Sequence, residues 1–356
     1  MKQLSQIYLV LLLICGTTAC TTVEYYGQAI SGHIRLLANA QPISDVIADP
    51  ETSPALRARL QVALAARTFA RDSLALPVGD AFLDYTELGR PWVVVNLVAV
   101  PEFSLPPHHW CYPVLGCQAY RGYFSLDDAK QEQSVFEQEG FDTFIGAVTA
   151  YSTLGWFDDP LQSAFTALSN DRMVALMFHE LAHRVVYVDN ATDFNESFAK
   201  AVELEGLRRW LVQRGEADHF PAVEARLERR RQTQALVTKT TARLKALYQE
   251  ADRLAPQTLR DRKQALLDDL AKRYANASEH WSEPGPFGPP PVTLNNANLA
   301  LFRQYNHLVP GFRQLLKDCD NRFPVFYDAV KTLASLPEEQ RSARLRALSQ
   351  RFTEDL

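Results

Sequence analysis

The sequence has no excess of positive charge and no apolar run long enough to cross a membrane. Its 356 residues include 37 lysines and arginines against 42 aspartates and glutamates, which gives a net charge of −5. Nucleic-acid-binding proteins usually carry a basic surface, so this balance argues against nucleic acid as a partner. The apolar run Ile7–Cys15 is much shorter than the roughly 20 residues that a spanning helix needs.

The first residues are predicted to form an export signal. Lys2 precedes the apolar run, and small residues follow the run up to Cys20. This is the layout of a signal peptide, here residues 1–19, which is removed from the mature chain. A buried N-terminal helix is the alternative interpretation of the same run.

The end of this signal resembles a bacterial lipobox, in which a cysteine becomes the lipidated first residue. Cys20 would carry the lipid, although Thr17 stands where an aliphatic residue is usual. The lipid would anchor the protein to the bacterial cell envelope. The absence of Asp at Thr21 favours the periplasmic face of the outer membrane. Cleavage after Ala19 without lipidation is the alternative.

Few cysteines remain beyond this point. Cys111 and Cys117 can close a small loop in an oxidising periplasm, and Cys319 is left over. Free cysteines are also common small core residues, so the sequence leaves both states of the pair open.

Periodicity beyond the signal predicts an α+β fold that is mainly helical. β-branched runs between residues 91 and 156, beginning with Pro91–Val100, predict a small mixed β-sheet. Elsewhere apolar residues recur at three- and four-residue spacings, as in helices. The predicted segments are an N-terminal helical segment (20–90), a core segment that contains the sheet (91–215), a long charged helical hairpin (216–283) and C-terminal helices (284–356).

Two histidines carry the clearest chemical signal in the chain. His179 and His183 are four residues apart, so they lie on one face of a helix and can bind one ion. Glu180 lies beside the first histidine, where it can act as a general base without binding the metal. The surrounding helix is apolar on almost every side and is predicted to be buried. Buried imidazoles and carboxylates need partners, and a bound Zn²⁺ ion provides one.

A third ligand is expected from the next helix. Glu196 lies in the first turn after a polar break and is the predicted third ligand of a single zinc ion. Glu203 is two turns further along the same face, which suits a residue that orients a histidine. The alternative is that Glu203 is itself the ligand.

The pair of sequences HELAH and NESFA resembles the glutamate-zincin metallopeptidases, whose third ligand commonly lies in an Asn-Glu-x-x-Ala motif. Most of the chain is similar to the bacterial putative aminopeptidase family, predicted zinc peptidases that are often lipoproteins. The resemblance implies a zinc-dependent peptidase that acts on a peptide substrate. It also implies that segment 91–215 is a zincin-like catalytic core and that the C-terminal helices (284–356) complete its cleft. The matching stretches are YYGQAISGHIRLL, AVPEFSLPPHHWCYPVLGCQAYRGYF, AYSTLGWFDDP, FHELAHRVVYVDNATDFNESFA and NNANLALFRQYNHLVPGF.

Peptidase chemistry calls for further groups beside the metal. Tyr305 is the predicted hydrogen-bond donor to the developing oxyanion, with His307 behind it, and a core aromatic is the alternative for Tyr305. The stretch Ala150–Trp156 resembles the sheet edge along which zincin clefts hold an extended peptide. An aminopeptidase also needs an anion for the substrate ammonium. The candidates are Glu102, Asp158 and Asp159.

Two functional hypotheses follow from these patterns. The first is an exported zinc peptidase, which the complete set of ligands and base favours. The second is an envelope assembly or binding lipoprotein with a structural or degenerate zinc site, motivated by the charged hairpin. The fourth zinc position distinguishes them, because a protein side chain there would make the site structural.

Overall fold

The computed structural model of the protein describes residues 25–112, 116–149, 159–303 and 308–353. Within these ranges the chain is mainly helical with small β-sheets, so the predicted α+β class is confirmed. None of the helices described is both long enough and apolar enough to span a bilayer. The predicted signal peptide and Cys20 lie outside the described residues.

Helices account for most of the described chain. α3 begins where the side chain of Ser53 accepts a hydrogen bond from the backbone N–H of Leu56, and Ser125 starts α4 in the same way. The helices are α1 (25–38), α2 (Ile43–Ala48), α3 (Pro54–Leu74), α4 (Leu126–Gln138), α5 (Ser163–Thr166), α6 (Asn170–His183), α7 (Thr192–Arg214), α8 (Phe220–Tyr248), α9 (Pro256–Ser278), α10 (Asn296–Arg303), α11 (Val309–Asp318), α12 (Phe323–Ala334) and α13 (Glu338–Arg351).

The strands form three small sheets in the described ranges. Their orders are β1-β2-β8, β6-β3-β7 and β4-β5. The strands are β1 (Gln41–Pro42), β2 (Asp84–Thr86), β3 (Val94–Pro101), β4 (Trp110–Tyr112), β5 (Gly116–Gln118), β6 (Arg121–Tyr123), β7 (Phe141–Val148) and β8 (Leu161–Gln162).

The sheet predicted between residues 91 and 156 differs from the expectation in its strand directions. β6 and β7 both run antiparallel to the central strand β3, so this sheet is antiparallel and not mixed. The mixed sheet is β1-β2-β8, in which β2 pairs antiparallel with β1 and parallel with β8. β6 and β7 point the same way on opposite sides of β3, and parallel strands need a long crossover. α4 is that crossover.

One hydrophobic core joins all four of the predicted segments beyond the signal. It takes residues from α3, from α6 and α7, from α11 to α13, and Val223 from the start of α8. Aromatic contacts link these layers, since Phe69 meets Phe178 at 5.8 Å and Phe198 meets Phe312 at 5.8 Å between ring centroids. Burial of this shared surface fixes α6 and α7 against both ends of the chain.

The charged segment forms a hairpin of α8 and α9. Ion pairs Arg243–Asp269 at 2.6 Å and Arg262–Glu250 at 3.8 Å show that the two helices run antiparallel. Lys263 Nζ attaches the hairpin to the central sheet, because it donates to both carboxylate oxygens of Asp142 at 2.7 and 2.8 Å. The hairpin is therefore joined to the sheet by a largely buried ion pair.

Candidate metal centre

α6 presents both motif histidines near its C-terminal end. Met173, Met177 and Phe178 are buried around it, so the helix is held on several sides, as its apolar sequence predicts. His179 lies one turn before His183, and His183 is the last residue of the helix. The two rings are therefore fixed by a rigid and buried element.

A short turn brings α7 back against α6. The side chain of Asn195 accepts a hydrogen bond from Val188 N–H at 2.9 Å and donates one to Val188 C=O at 2.8 Å. Further along α7, a side chain at Gly206 would lie 2.9 Å from Phe178, so only glycine allows this close approach of the helices. The turn and the close packing place Glu196, the residue after Asn195, opposite the histidines.

His179, His183 and Glu196 converge on one point. The two Nε2 atoms are 3.2 Å apart, and the carboxylate oxygens of Glu196 lie 3.3 Å from His179 Nε2 and 3.7 Å from His183 Nε2. All the candidate ligand atoms lie within 4.8 Å of one another. Tetrahedral zinc with bonds of about 2.0–2.1 Å has neighbouring ligand atoms about 3.3 Å apart. The donor set therefore fits a zinc ion in both chemistry and spacing.

Glu203 orients the first of these histidines. Its carboxylate accepts a hydrogen bond from His179 Nδ1 at 3.2 Å, which leaves Nε2 free to bind a metal. Lys200 Nζ lies 2.5 Å from the other oxygen of Glu203. Burial would raise the pKa of Glu203, but Lys200 and His179 lower it to about 2. Glu203 is thus held as a carboxylate beside His179, and its orienting role stays a prediction that this contact suits.

The carboxylates favour positive charge where the ligands meet. Burial alone would lower the pKa of His179, but hydrogen bonds to Glu196 and Glu203 raise it to about 10. Burial, and then the charge of His179, lower the pKa of His183 to about 4, so that imidazole is neutral. A metal ion would supply the positive charge that a proton on His179 otherwise provides.

Glu180 lies next to the ligands, and its pKa is raised. Burial raises its pKa, His179 opposes this, and the negative charges of Glu196 and Asp159 raise it further, to about 7. A carboxyl group with this pKa can take up and release a proton near neutral pH. This is the property that the predicted general base requires.

Several other predicted residues lie outside the described residues, so their roles stay predictions. They are Tyr305, His307, Asp158 and the proposed sheet edge Ala150–Trp156. Among the candidates for the ammonium, Asp159 is buried and its charge acts on Glu180. Glu102 instead forms an ion pair with Arg260 of α9 at 2.7 Å.

The two cysteines whose pairing the sequence left open are bonded. Cys111 and Cys117 face each other across β4 and β5 and form a disulfide on the exposed side of this hairpin. Cys319 is a free thiol at the end of α11.

Sequence reasoning missed three residues near the ligands. Lys200 neutralises Glu203, and its position one turn after Glu196 could have revealed it. The ring of Tyr187, one turn beyond His183, lies 6.4 Å from the ring of His183 and is half exposed. Burial raises the pKa of Tyr120 to about 12 and the Glu196 carboxylate adds to this, so Tyr120 also lies near the centre. Tyr120 is far from Glu196 in the sequence, so no local spacing could have indicated that they are close.

An HExxH helix joined to a carboxylate from the next helix defines the class of candidate metallohydrolases. More particularly, the chain belongs to the family described as "Putative aminopeptidase", whose sequence model matches residues 24–345. No match was found among curated proteins or among solved structures. Family membership thus indicates a peptidase.

Proposed function

We propose that the protein is a zinc-dependent peptidase that hydrolyses peptide bonds, in agreement with its family. The convergence of His179, His183 and Glu196 on one point carries this proposal. Glu203 supports it, because it holds His179 in the tautomer that can bind a metal. The resemblance to glutamate zincins supports zinc as the natural ion.

Each residue has a separate task in the proposed reaction. Zinc, when bound, would supply positive charge that polarises the substrate carbonyl and lowers the pKa of a water molecule. His179, His183 and Glu196 would hold it. Glu180 accepts a proton from the attacking water on a carboxylate oxygen and passes it to the leaving amine, as its pKa near 7 allows.

The number of ligands favours a catalytic over a structural ion. In the described part of the chain, the cluster contains three potential ligand side chains and no fourth. Catalytic zinc sites typically have three protein ligands and one position for water or substrate, whereas structural sites have four. The assembly-factor hypothesis therefore receives no support from this cluster.

Asp159 is the proposed anchor for a substrate ammonium group. Its side chain is 5% exposed, and its negative charge is felt at Glu180. A buried carboxylate beside the general base can attract the free amine of a peptide and place the first peptide bond near the metal. This would make the enzyme an aminopeptidase.

We further propose that the protein is lipid-anchored in the bacterial envelope, on the periplasmic face of the outer membrane. The export-signal layout of residues 1–19 and the lipobox-like position of Cys20 support this location. Metabolic labelling with a tagged fatty acid tests it. Labelling that persists in Cys20→Ser would refute lipidation at this residue.

Metal analysis and peptide hydrolysis together test the proposed activity. Elemental analysis should find one zinc per chain in protein purified without chelator. Peptides with free and with acetylated N-termini, otherwise identical, should then be assayed side by side. Cleavage of the free-amine peptides alone supports an aminopeptidase, while cleavage of both supports a general peptidase.

Glu180→Gln separates the general base from the metal site. We expect this variant to retain zinc and to lose hydrolysis by at least about a hundredfold, because the amide cannot accept the proton. Hydrolysis at the wild-type rate would refute the role of Glu180. Loss of zinc as well would show that Glu180 supports the ligands instead.

A further inference from the structure

Two arginines interrupt the inward face of α8. Val223, near the start of the helix, belongs to the main hydrophobic core, and Val237 belongs to the core of the hairpin. Between them, the same face of the helix carries Arg226 and Arg229. Arg229 is 4% exposed and Arg226 is partly buried. Cations at such positions need compensation by anions.

Arg226 lacks that compensation. The Nε atoms of Arg226 and Arg229 are both buried without a hydrogen-bond partner. Arg229 still pairs with Glu283 at 2.8 Å, whereas no ion pair joins Arg226 to any residue in the described ranges. Partial burial of a cation without an ion-pair partner is unfavourable. An anion from outside the chain would compensate this charge.

The charges around Arg226 leave a positive surplus. Burial lowers the pKa of Arg226, and the neighbouring charges of Arg172 and Arg229 lower it further, against the opposing effects of Glu283 and Glu203. Glu203 already has His179 and Lys200 as partners at 3.2 and 2.5 Å. Glu203, one of the two carboxylates that act on Arg226, is therefore committed to other groups.

This surplus lies on the same side of the protein as the metal ligands. Arg172 precedes His179 by two helical turns on one face of α6, which corresponds to about 10 Å along the helix. His219 and Asp171 meet at 3.3 Å and fix the start of α8 beside the start of α6. An extended peptide advances about 3.3 Å per residue, so this distance corresponds to about three residues.

We propose that Arg226, together with Arg172, binds a carboxylate of the peptide substrate about three residues from the bond that is cleaved. This inference rests on the proposed peptidase function and adds a substrate class to it. The carboxylate can be the C-terminus of a short peptide or an acidic side chain at that place. A guanidinium group suits either one, because its planar donors match both carboxylate oxygens.

Matched peptides test this proposal and distinguish the two sources of the carboxylate. One pair shares a sequence and ends in a free or an amidated C-terminus. A second pair is amidated and carries Glu or Gln at the third position after the cleaved bond. Wild-type protein should show a KM about ten to a hundred times lower for one carboxylate peptide than for its neutral partner.

Arg226→Met should remove this preference. The KM for the carboxylate peptide should rise to that of the neutral peptide, while kcat and the KM of the neutral peptide stay unchanged. Arg226→Lys should restore part of the preference. Arg231→Met is the matched control, because Arg231 is 71% exposed and pairs with Glu228 on the same helix. It should behave as the wild type does.

Three results would overturn the proposal. The wild-type protein could have the same KM for the two peptides of each pair. Arg226→Met could raise the KM for the carboxylate peptide and for its neutral partner equally, as expected of a purely structural residue. Arg172→Met, which changes an exposed residue and leaves the core intact, could fail to reduce the preference.

Calorimetric binding of the same peptides to Glu180→Gln protein keeps this test independent of catalysis. Carboxylate-dependent binding without hydrolysis by the wild type would support the subsite and refute the peptidase function. Hydrolysis without carboxylate dependence in KM or binding would refute the subsite alone.

Discussion

Glu203→Gln removes the negative charge that faces His179 Nδ1 at 3.2 Å and keeps the size of the side chain. The wild-type residue is ionised at any working pH, since Lys200 and His179 overcome the effect of burial and lower its pKa to about 2. An orienting carboxylate of this kind typically contributes tenfold to a hundredfold to metal affinity, or about 1.4–2.8 kcal/mol. We expect the Kd for zinc to rise by this factor.

Competition with a chromophoric chelator at neutral pH measures the effect. Glu205→Gln is the matched control, because Glu205 lies on the same helix with a similar exposure, 13% against 14% for Glu203. It pairs with Arg208 and Arg209 and has no contact with the ligands. Its Kd for zinc should stay within about twofold of the wild type. An unchanged Kd in Glu203→Gln would refute the orienting role, provided that thermal melting shows both variants folded.

Lys263→Met leaves the Asp142 carboxylate largely buried without its cation, so the free energy of unfolding in urea should fall by about 3–5 kcal/mol. Arg260→Met breaks a more exposed pair and should cost less than about 1 kcal/mol, and equal losses would contradict this ranking. The protein stripped of metal should lose stability as the pH rises from about 6.5 to about 10, because folded His179 then gives up the proton that its raised pKa of about 10 retains. Between about pH 4.5 and pH 6.5 stability should change little, because unfolding lets His183 (folded pKa about 4) bind a proton while it makes Glu180 (folded pKa about 7) release one. Melting temperatures in chelator that stay constant or rise from pH 6.5 to pH 10 would contradict the assignment to His179.

Local spacing explains why much of the candidate site could be predicted. His179 and His183 are one turn apart on a single helix, and Glu196 and Glu203 are two turns apart on another. Helical geometry alone places each pair on one face. The contact between the two pairs required only that a short turn bring the helices together, and two hydrogen bonds between Asn195 and Val188 hold that turn.

Contacts between distant parts of the chain were not predictable in this way. Arg226 is separated from Arg172 in the sequence by a whole helix and a turn. The charged residues around Arg226 have the pattern of an ordinary solvated helix face. Tyr120 approaches Glu196 from the connection between two short strands. Periodicity describes the face of an element but contains no information on which other face it meets.

The strand directions escaped prediction for a related reason. Pro91–Val100 reads as a strand from its β-branched residues, but nothing local shows that its neighbours lie on both sides and run opposite to it. The helix between β6 and β7 makes that arrangement possible, because it carries the chain across the central strand. Its role as a crossover became visible only in the pairing of β3 with both neighbours.

The two hydrogen bonds between Asn195 and Val188 bear on how the protein gains and loses its ion. They order the connection between the ligand-bearing helices through protein groups, so we expect Glu196 to be in place in the folded protein before the ion binds. Small zinc domains that fold only around their ion collapse when chelated. Here a chelator would leave a folded apoprotein that can be reloaded, and loading would be limited by diffusion and by dehydration of the ion.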